Sequence, residues 1–238
     1  MGFEKIALII AYNGKYFQGF QRQPHGKAIE NFIENILLKN NVIEDRFSDP
    51  KVDYSSSGRT DKGVHAIYQV ISFNSRKSSD EVIHIINKYL GPKIMAWGYL
   101  DVPWDFNARM WARRRYYVYY LGRTSVFDRD RIINCISPSR RRHVICKAIF
   151  MGNNCSLLFG SESFLRREIR RIMSCYLRLK YLADPNRLCL FHVSYPFTSI
   201  QYMDLLEEFI NSHTDIGVFK FIKEMLFLRR SHFFFNFL

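Results

Sequence analysis

The chain has 238 residues, 47% hydrophobic and 16% aromatic, which suits one large domain or two of roughly half that length and argues against global disorder. Its net charge is +13 and its pI about 9.6, which favours a polyanionic partner, and no apolar run is long enough to span a bilayer. Residues 1–105 carry a net +1, residues 106–187 a net +13 from 18 basic and 5 acidic side chains, and residues 188–238 a net −1. A generally basic solvated surface would spread that excess. Its concentration points to a binding face, and arginine, which dominates the segment, suits bidentate phosphate contacts and stacking on bases.

In chain order, Lys5–Tyr12 reads as a buried strand, closed by an Asn13-Gly14 turn. Tyr16–Pro24 is aromatic and polar without a regular period, the pattern of a packed loop. Ile29, Phe32, Ile33, Ile36 and Leu37 form the apolar face of a helix whose expected role is core burial alone. Lys51–Tyr54 reads as a short strand and Val64–Phe73 as a longer one. Between them, Gly58 and Gly63 bracket Asp61 in a loop with Arg59 and Lys62 on either side, and the glycines allow backbone angles or close approach that a side chain would forbid. From spacing alone the loop is equally an ordinary acidic turn or a device that presents a carboxylate to a ligand. Ser78 to Glu81 make a capping box ahead of Val82, Ile83, Ile86, Tyr89 and Leu90, Gly91-Pro92 stops that helix, and Lys93–Val102 is the next strand. Strand, helix, strand, strand, helix, strand is the order of a ferredoxin-like unit.

The second half opens on Phe106–Arg109 and Arg113–Tyr120, where alternation puts Tyr117 and Tyr119 on one strand face and Val118 on the other. Arginines interleaved with rings suit nucleic acid, although a tyrosine-rich strand facing a core has the same pattern. Residues 122–155 hold scattered arginines and no readable element. Leu157–Gly160 reads as a short strand. Phe164–Leu179 reads as a helix with Leu165, Ile169, Ile172, Met173 and Tyr176 on one side and Arg166, Arg167, Arg170 and Arg171 on an adjoining arc. Four arginines so placed repel one another unless an anion sits there. Leu188–Tyr195 is a strand ended by Pro196, Leu205, Leu206, Phe209 and Ile210 suggest a helix, and the apolar tail Phe219–Leu238 is expected to pack on the core or on a second subunit. The five cysteines, Cys135, Cys146, Cys155, Cys175 and Cys189, form no Cys-x-x-Cys pair and match no histidine spacing, so a zinc site is not expected and reduced thiols of a cytosolic or nuclear protein are. The start lacks a secretory apolar region, and Ile6 breaks the myristoylation pattern.

Ser57-Gly58-Arg59-Thr60-Asp61-Lys62-Gly63-Val64-His65-Ala66 resembles the signature G/A-R-T-D-x-G-V-H/S-A of the TruA family of tRNA pseudouridine synthases. The resemblance extends from Lys5 to about Pro196. Tyr12, Gly14, Gly19, Phe20, Gln21 and Gln23 match the family's first motif. Phe106, Ala108 and Arg109, then Arg115, Tyr117 and Tyr119, match F-x-A-R and R-x-Y-x-Y. Phe164, Ile169, Arg170 and Ile172 match the helix motif, and Leu188–Pro196 is similar to its L-x-L-x-x-V-x-Y-P element. The chain departs from the family at Arg187 and Ser174, where glycine is usual, at Arg166 and Arg167, and in a shorter connection from about Arg178 to Arg187.

The resemblance implies that Asp61 is the catalytic aspartate, that Arg59 pairs with it or fills the place of a flipped base, that Tyr117 packs against the target base, and that Arg170 ion-pairs with Asp61. It implies substrate contacts from Gly58, Thr60, Gly63, His65, Gln21, Arg109, Arg115, Tyr119, Arg166 and Arg167, with Leu188 and Leu190 as an apolar wall. It implies an α+β fold of two ferredoxin-like halves, 1–105 carrying the aspartate loop and 106–238 the basic face, in one mainly antiparallel sheet with helices on one face and a central cleft. The activity implied is isomerisation of uridine to pseudouridine in tRNA with no cofactor, no metal and no membrane. The partners expected are tRNA and, through the tail, a second copy of the chain, in nucleus or cytoplasm. Gly58 and Lys62 lean toward the eukaryotic-type branch acting at about positions 38–39, with positions 27/28 as the alternative target. A non-catalytic tRNA-binding or RNA-folding protein on the same scaffold would keep the arginines without needing Asp61. A metal-dependent hydrolase would need a second carboxylate near Asp61, and the sequence places none there.

Overall fold

The computed structural model describes residues 3–24, 26–124 and 127–228. The first half contributes β1 (Glu4–Tyr12), α1 (Ile29–Lys39), β2 (Ser55–Ser56), β3 (His65–Ser75), α2 (Ser79–Leu90) and β4 (Ile94–Leu100). β1 pairs antiparallel with β3 on one side and β4 on the other, and β2 lies along the outer edge of β3. The expected strand, helix, strand, strand, helix, strand unit is therefore present. The Ser78 capping box forms as expected, the hydroxyl accepting from the Glu81 amide and the Glu81 carboxylate from the Ser78 amide.

The second half repeats that order with β5 (Arg114–Arg123), α3 (Arg129–Cys135), β6 (Ile145–Met151), β7 (Asn154–Ser161), α4 (Glu168–Tyr176) and β8 (Leu188–Ser194). In both halves the strands stand side by side in the order second, third, first, fourth. The halves join where β8 runs parallel to the start of β3, His65 opposite Cys189 and Ala66 opposite Leu190, and every other pairing is antiparallel. Among the described residues this makes one nine-stranded sheet. The chain closes with β9 (Ser199–Gln201), which returns to the edge of β4, and with α5 (Met203–Asn211) and α6 (Gly217–Lys223).

The larger core unites β1, β3, β4, the inner faces of α1 and α2, and Phe209, Phe219 and Phe221 from α5 and α6. A second cluster sits under β5 and β7, where Leu157 and Phe159 meet Ile169, Ile172 and Met173 of α4. The start of the apolar tail thus packs on the core, while its end, residues 229–238, lies outside the described residues. Among the described residues no helix is long and apolar enough to cross a membrane.

Four expectations need correction. Lys51–Tyr54 is not a strand but a turn and an irregular stretch: Lys5 Nζ, buried on β1, donates to the Asp53 carboxylate at 2.5 Å and to its carbonyl at 2.9 Å, which holds Asp53 at φ +44°. The helix expected from Phe164 begins at Glu168, so Arg166 and Arg167 precede it and Leu165 is exposed. Its boundary is set by Glu168, whose carboxylate accepts from the Leu165 amide at 2.7 Å and pairs with Arg140 at 3.0 Å, and by Arg167 at φ +61°. α1 does more than bury a core face, since Glu30 and Glu34 on it are buried as well. Finally, Cys135 of α3 and Cys175 of α4 form a disulfide, leaving Cys146, Cys155 and Cys189 free.

Candidate active site

The Asp61 loop is built by strand pairing that stops early. Beyond β2, the Ser57 amide still donates to Val70 O at 2.8 Å, and the Ser57 hydroxyl takes the Val70 amide at 3.1 Å. Gln69 Nε2 then donates to Gly58 O at 2.6 Å, which fixes the point where the chain leaves the sheet. From there the loop is pinned at three further places. Thr60 Oγ1 lies 2.8 Å from the hydroxyl of the fully buried Tyr12, the Phe20 amide donates to Thr60 O at 3.1 Å, and the Val64 amide donates to Asp61 O at 3.1 Å. Gly63 has φ +81° and abuts Pro185, whose Cγ would stand 2.9 Å from an added Cβ, so both the backbone angle and the space require glycine. Gly58 carries no such requirement: its φ is not positive, and an added Cβ would come no nearer than 4.0 Å to the Tyr117 hydroxyl or Gln69 Oε1. The expectation that both glycines are conformationally needed therefore holds for Gly63 alone.

The loop forms one wall of a cleft of about 1310 Å³. Across it, α4 presents Arg170, whose Nη1 stands 3.8 Å from Asp61 Oδ2, with the two side chains 13% and 26% exposed. Arg170 is anchored from behind, Nε donating to Ala183 O at 2.7 Å. Ser174 completes the anchor, its hydroxyl donating to Arg170 O at 2.7 Å and accepting from the Ala183 amide at 2.8 Å. The departure from glycine at 174 thus ties the shortened 178–187 connection to the helix. Burial lowers the pKa of Arg170 from its ordinary value, and the Asp61 carboxylate opposes that shift.

Tyr117 of β5 lines the same cleft and packs edge-on against Phe164 with ring centroids 5.3 Å apart. Burial pushes its hydroxyl up to about 12, Arg115 acting against the shift and Asp61 with it, so the group is a neutral phenol at physiological pH. Arg59 lies exposed on the cleft wall, and among the described residues it makes no ion pair. Gln21, Arg109, Arg166, Arg167 and Leu188 also line the cleft. Within the basic segment, Arg140 and Arg170 are the arginines engaged in ion pairs among the described residues, which leaves Arg109, Arg166 and Arg167 with uncompensated charge around the mouth.

Four residues expected to touch substrate do not line the cleft: Gly63, which abuts Pro185, and His65, Tyr119 and Leu190, which lie behind its wall. His65 is fully buried. Its Nδ1 accepts from the Gly14 amide at 3.2 Å, so its Nε2–H donates to Asn186 O at 3.1 Å, and burial lowers its pKa to about 4. Tyr119 is 1% exposed in the second core cluster, flanked by Leu157 and Leu188 on the neighbouring strands. Leu190 is buried in the main core between Tyr117 and Ala66.

One contributor was not singled out in the sequence. Glu30 lines the cleft and accepts from the Arg22 amide at 2.6 Å and the Tyr54 hydroxyl at 3.0 Å; burial raises its pKa, with Arg22, Tyr54 and Arg59 opposing. The available signal was Glu30 and Glu34 at i, i+4 beside the buried stripe of α1. Arg115, expected as a substrate contact, has its guanidinium engaged by three backbone carbonyls. Among the described residues no group of three or more His, Cys, Asp or Glu side chains is placed to hold a metal ion.

No protein-family model matches the chain. It is similar to tRNA pseudouridine synthase A of Thermococcus sibiricus, 40% identical over 168 residues, covering 71% of this chain and 57% of that protein. The synthase of the same name from Methanosarcina acetivorans is 38% identical over 118 residues, covering 50% and 43%, and that of Thermococcus kodakarensis 37% over 140 residues, covering 58% and 51%. The chain spans about half the length of the curated relatives it matches. Among solved structures, the archaeal box H/ACA Nop10–Cbf5 complex aligns at 14% identity with a TM-score of 0.36, covering 92% of this chain and 58% of that one, a likeness too weak to support any inference. Identity of 37–40% to these archaeal proteins over the matched residues, together with the ten-residue loop motif and the Tyr117 and Arg170 positions opposite it, makes the chain similar to the TruA family of tRNA pseudouridine synthases.

Proposed function

We propose that the chain is a tRNA pseudouridine synthase acting in the anticodon stem-loop, at about positions 38–39. The observation that carries the proposal is the convergence of Asp61, Arg170 and Tyr117 from three separate elements on one cleft with an arginine-rich mouth. The reaction is redox-neutral: the N1–C1′ bond breaks, the uracil turns, a C5–C1′ bond forms, C5 loses a proton and N1 gains one. It needs an ionised carboxylate beside the sugar and base. Arg170 sets a fixed positive charge 3.8 Å from the Asp61 carboxylate. Tyr117, a phenol at working pH, offers a ring against the uracil and a hydroxyl that can pass or hold a proton. The target base has to leave its stack at a cost of roughly a few kcal/mol. In this reading Arg59, exposed on the cleft wall beside Asp61, fills the vacated space. The unpaired arginines at the mouth supply phosphate contacts, so affinity falls steeply with salt.

The test is to map pseudouridines in tRNA incubated with the purified chain. New pseudouridine at positions 38–39 supports the reading, modification at 27/28 moves the site assignment, and binding without any modification leaves a non-catalytic tRNA-binding protein.

A further inference from the structure

Arg115 sits on β5 two residues before Tyr117, and each nitrogen of its guanidinium donates to the protein itself, which commits three of its five N–H groups. Nε donates to Ser57 O at 2.7 Å, Nη1 to Glu162 O at 2.5 Å and Nη2 to Arg109 O at 3.0 Å. These three carbonyls belong to three different segments of the cleft wall. Ser57 is the last residue before the Asp61 loop, Arg109 lies on the connection between β4 and β5, and Glu162 lies between β7 and α4. The first segment comes from one half of the molecule and the other two from the second half. One side chain therefore ties the aspartate loop to the strand that carries Tyr117 and to the segment leading into the helix that carries Arg170. Burial lowers the pKa of Arg115 from its ordinary value, as befits a cation turned into the wall.

A phosphate contact needs the outer edge of the guanidinium free to meet an oxyanion in a bidentate fork. In Arg115 all three nitrogens already face carbonyls. The same planar fork is what lets one group reach three acceptors at set angles. A lysine ammonium, a point donor on a flexible stem, cannot hold all three segments in that geometry.

We propose that Arg115 is a positioning residue for the isomerisation, a clasp that sets the Asp61 loop against Tyr117 and Arg170, and that it does not grip the tRNA backbone. The proposal rests on the synthase reading for its catalytic consequence. Its mechanical part, the clasp, stands apart from that reading.

The test uses Arg115→Lys and Arg115→Ala in the full chain, with three measurements. Hydrogen exchange across Ser57–Val64 is expected to accelerate in both variants while β1 keeps its protection; unchanged exchange in the loop would overturn the proposal whether or not the wild type makes pseudouridine. The single-turnover rate is expected to fall at least tenfold in Arg115→Lys, with tRNA affinity within about twofold of wild type and the slope of log affinity against log salt unchanged. A phosphate contact predicts the reverse: a preserved rate, weaker binding, and a slope shallower by about 0.7–0.9. In Arg115→Ala, added guanidinium is expected to restore rate in a saturable way and added ammonium is not, a signature that general destabilisation would not produce. If Arg115→Lys fails to fold, the exchange and rescue measurements on Arg115→Ala decide. A wild-type protein inactive on every tRNA would sink the synthase reading and leave the exchange result to judge the clasp.

Discussion

Replacing Arg170 by methionine probes the electrostatic core of the cleft. At 3.8 Å the Arg170–Asp61 pair is worth about 4 kcal/mol at an effective dielectric of about 20. Both side chains are mostly enclosed, so screening by water is incomplete, yet water entering the space left by the guanidinium will recover part of the loss. A net cost of about 2–4 kcal/mol in the transition state corresponds to a rate lower by roughly 30- to 1000-fold. Arg170→Lys keeps the charge but cannot both donate to Ala183 O and face Asp61 as the fork does, so its loss should be intermediate. The assay is single-turnover pseudouridine formation on a tRNA transcript at saturating protein, with affinity measured separately. An affinity loss matching the rate loss would make Arg170 a phosphate contact, and an unchanged rate would show that Asp61 does not depend on it.

Gly63→Ala forces a side chain into φ +81° and against Pro185 and should cost at least about 1–2 kcal/mol, seen as a lower Tm and a slower single-turnover rate; a neutral result would show that the loop relaxes freely. Tyr12→Phe removes the buried bond to Thr60 and should lower stability by about 1–2 kcal/mol in urea unfolding, whereas an unchanged midpoint would discount that anchor. His65 is held near pKa 4 in the folded chain against 6.5 when free, so between those values the unfolded state binds the extra proton. Stability due to His65 is therefore full above pH 6.5 and lost as pH falls toward 4, at up to about 1.4 kcal/mol per pH unit, and His65→Gln should flatten the wild-type slope by that amount. Thiol titration of the denatured, unreduced protein should count three free thiols, and five would contradict the Cys135–Cys175 bond.

Much of the first half was legible because its elements obey simple periods. β1 is an unbroken apolar run from Ile6 to Tyr12, α1 and α2 carry regular stripes, and Ser78 announces its helix with a capping box. The second half hid its matching unit inside residues 122–155 for physical reasons. α3 spans seven residues, too short for a period to emerge, and β6 is an edge strand with Ile145, Lys147 and Phe150 all exposed, so no apolar alternation marks it. The false start of α4 has a similar cause: Arg166 and Arg167 fit a helical arc, but the boundary depends on Glu168 and Arg140, 28 residues apart. Within the cleft, residue type located Asp61, Tyr117 and Arg170, because their chemistry is tied to a motif. It could not separate them from His65 and Tyr119 in the same motifs, since which side of a wall a side chain occupies depends on the pairing of β3 with β8 and on the packing over β5. The contacts of Arg115 were likewise invisible, because backbone carbonyls carry no sequence signature.

The most direct measurement is pseudouridine formation by Asp61→Asn, a replacement of nearly the same size and shape that cannot carry the charge. Tritium release from C5-labelled uridine in tRNA should fall to background while tRNA binding stays within a few-fold of wild type. Turnover by that variant at anything near the wild-type rate would contradict a mechanism centred on this carboxylate.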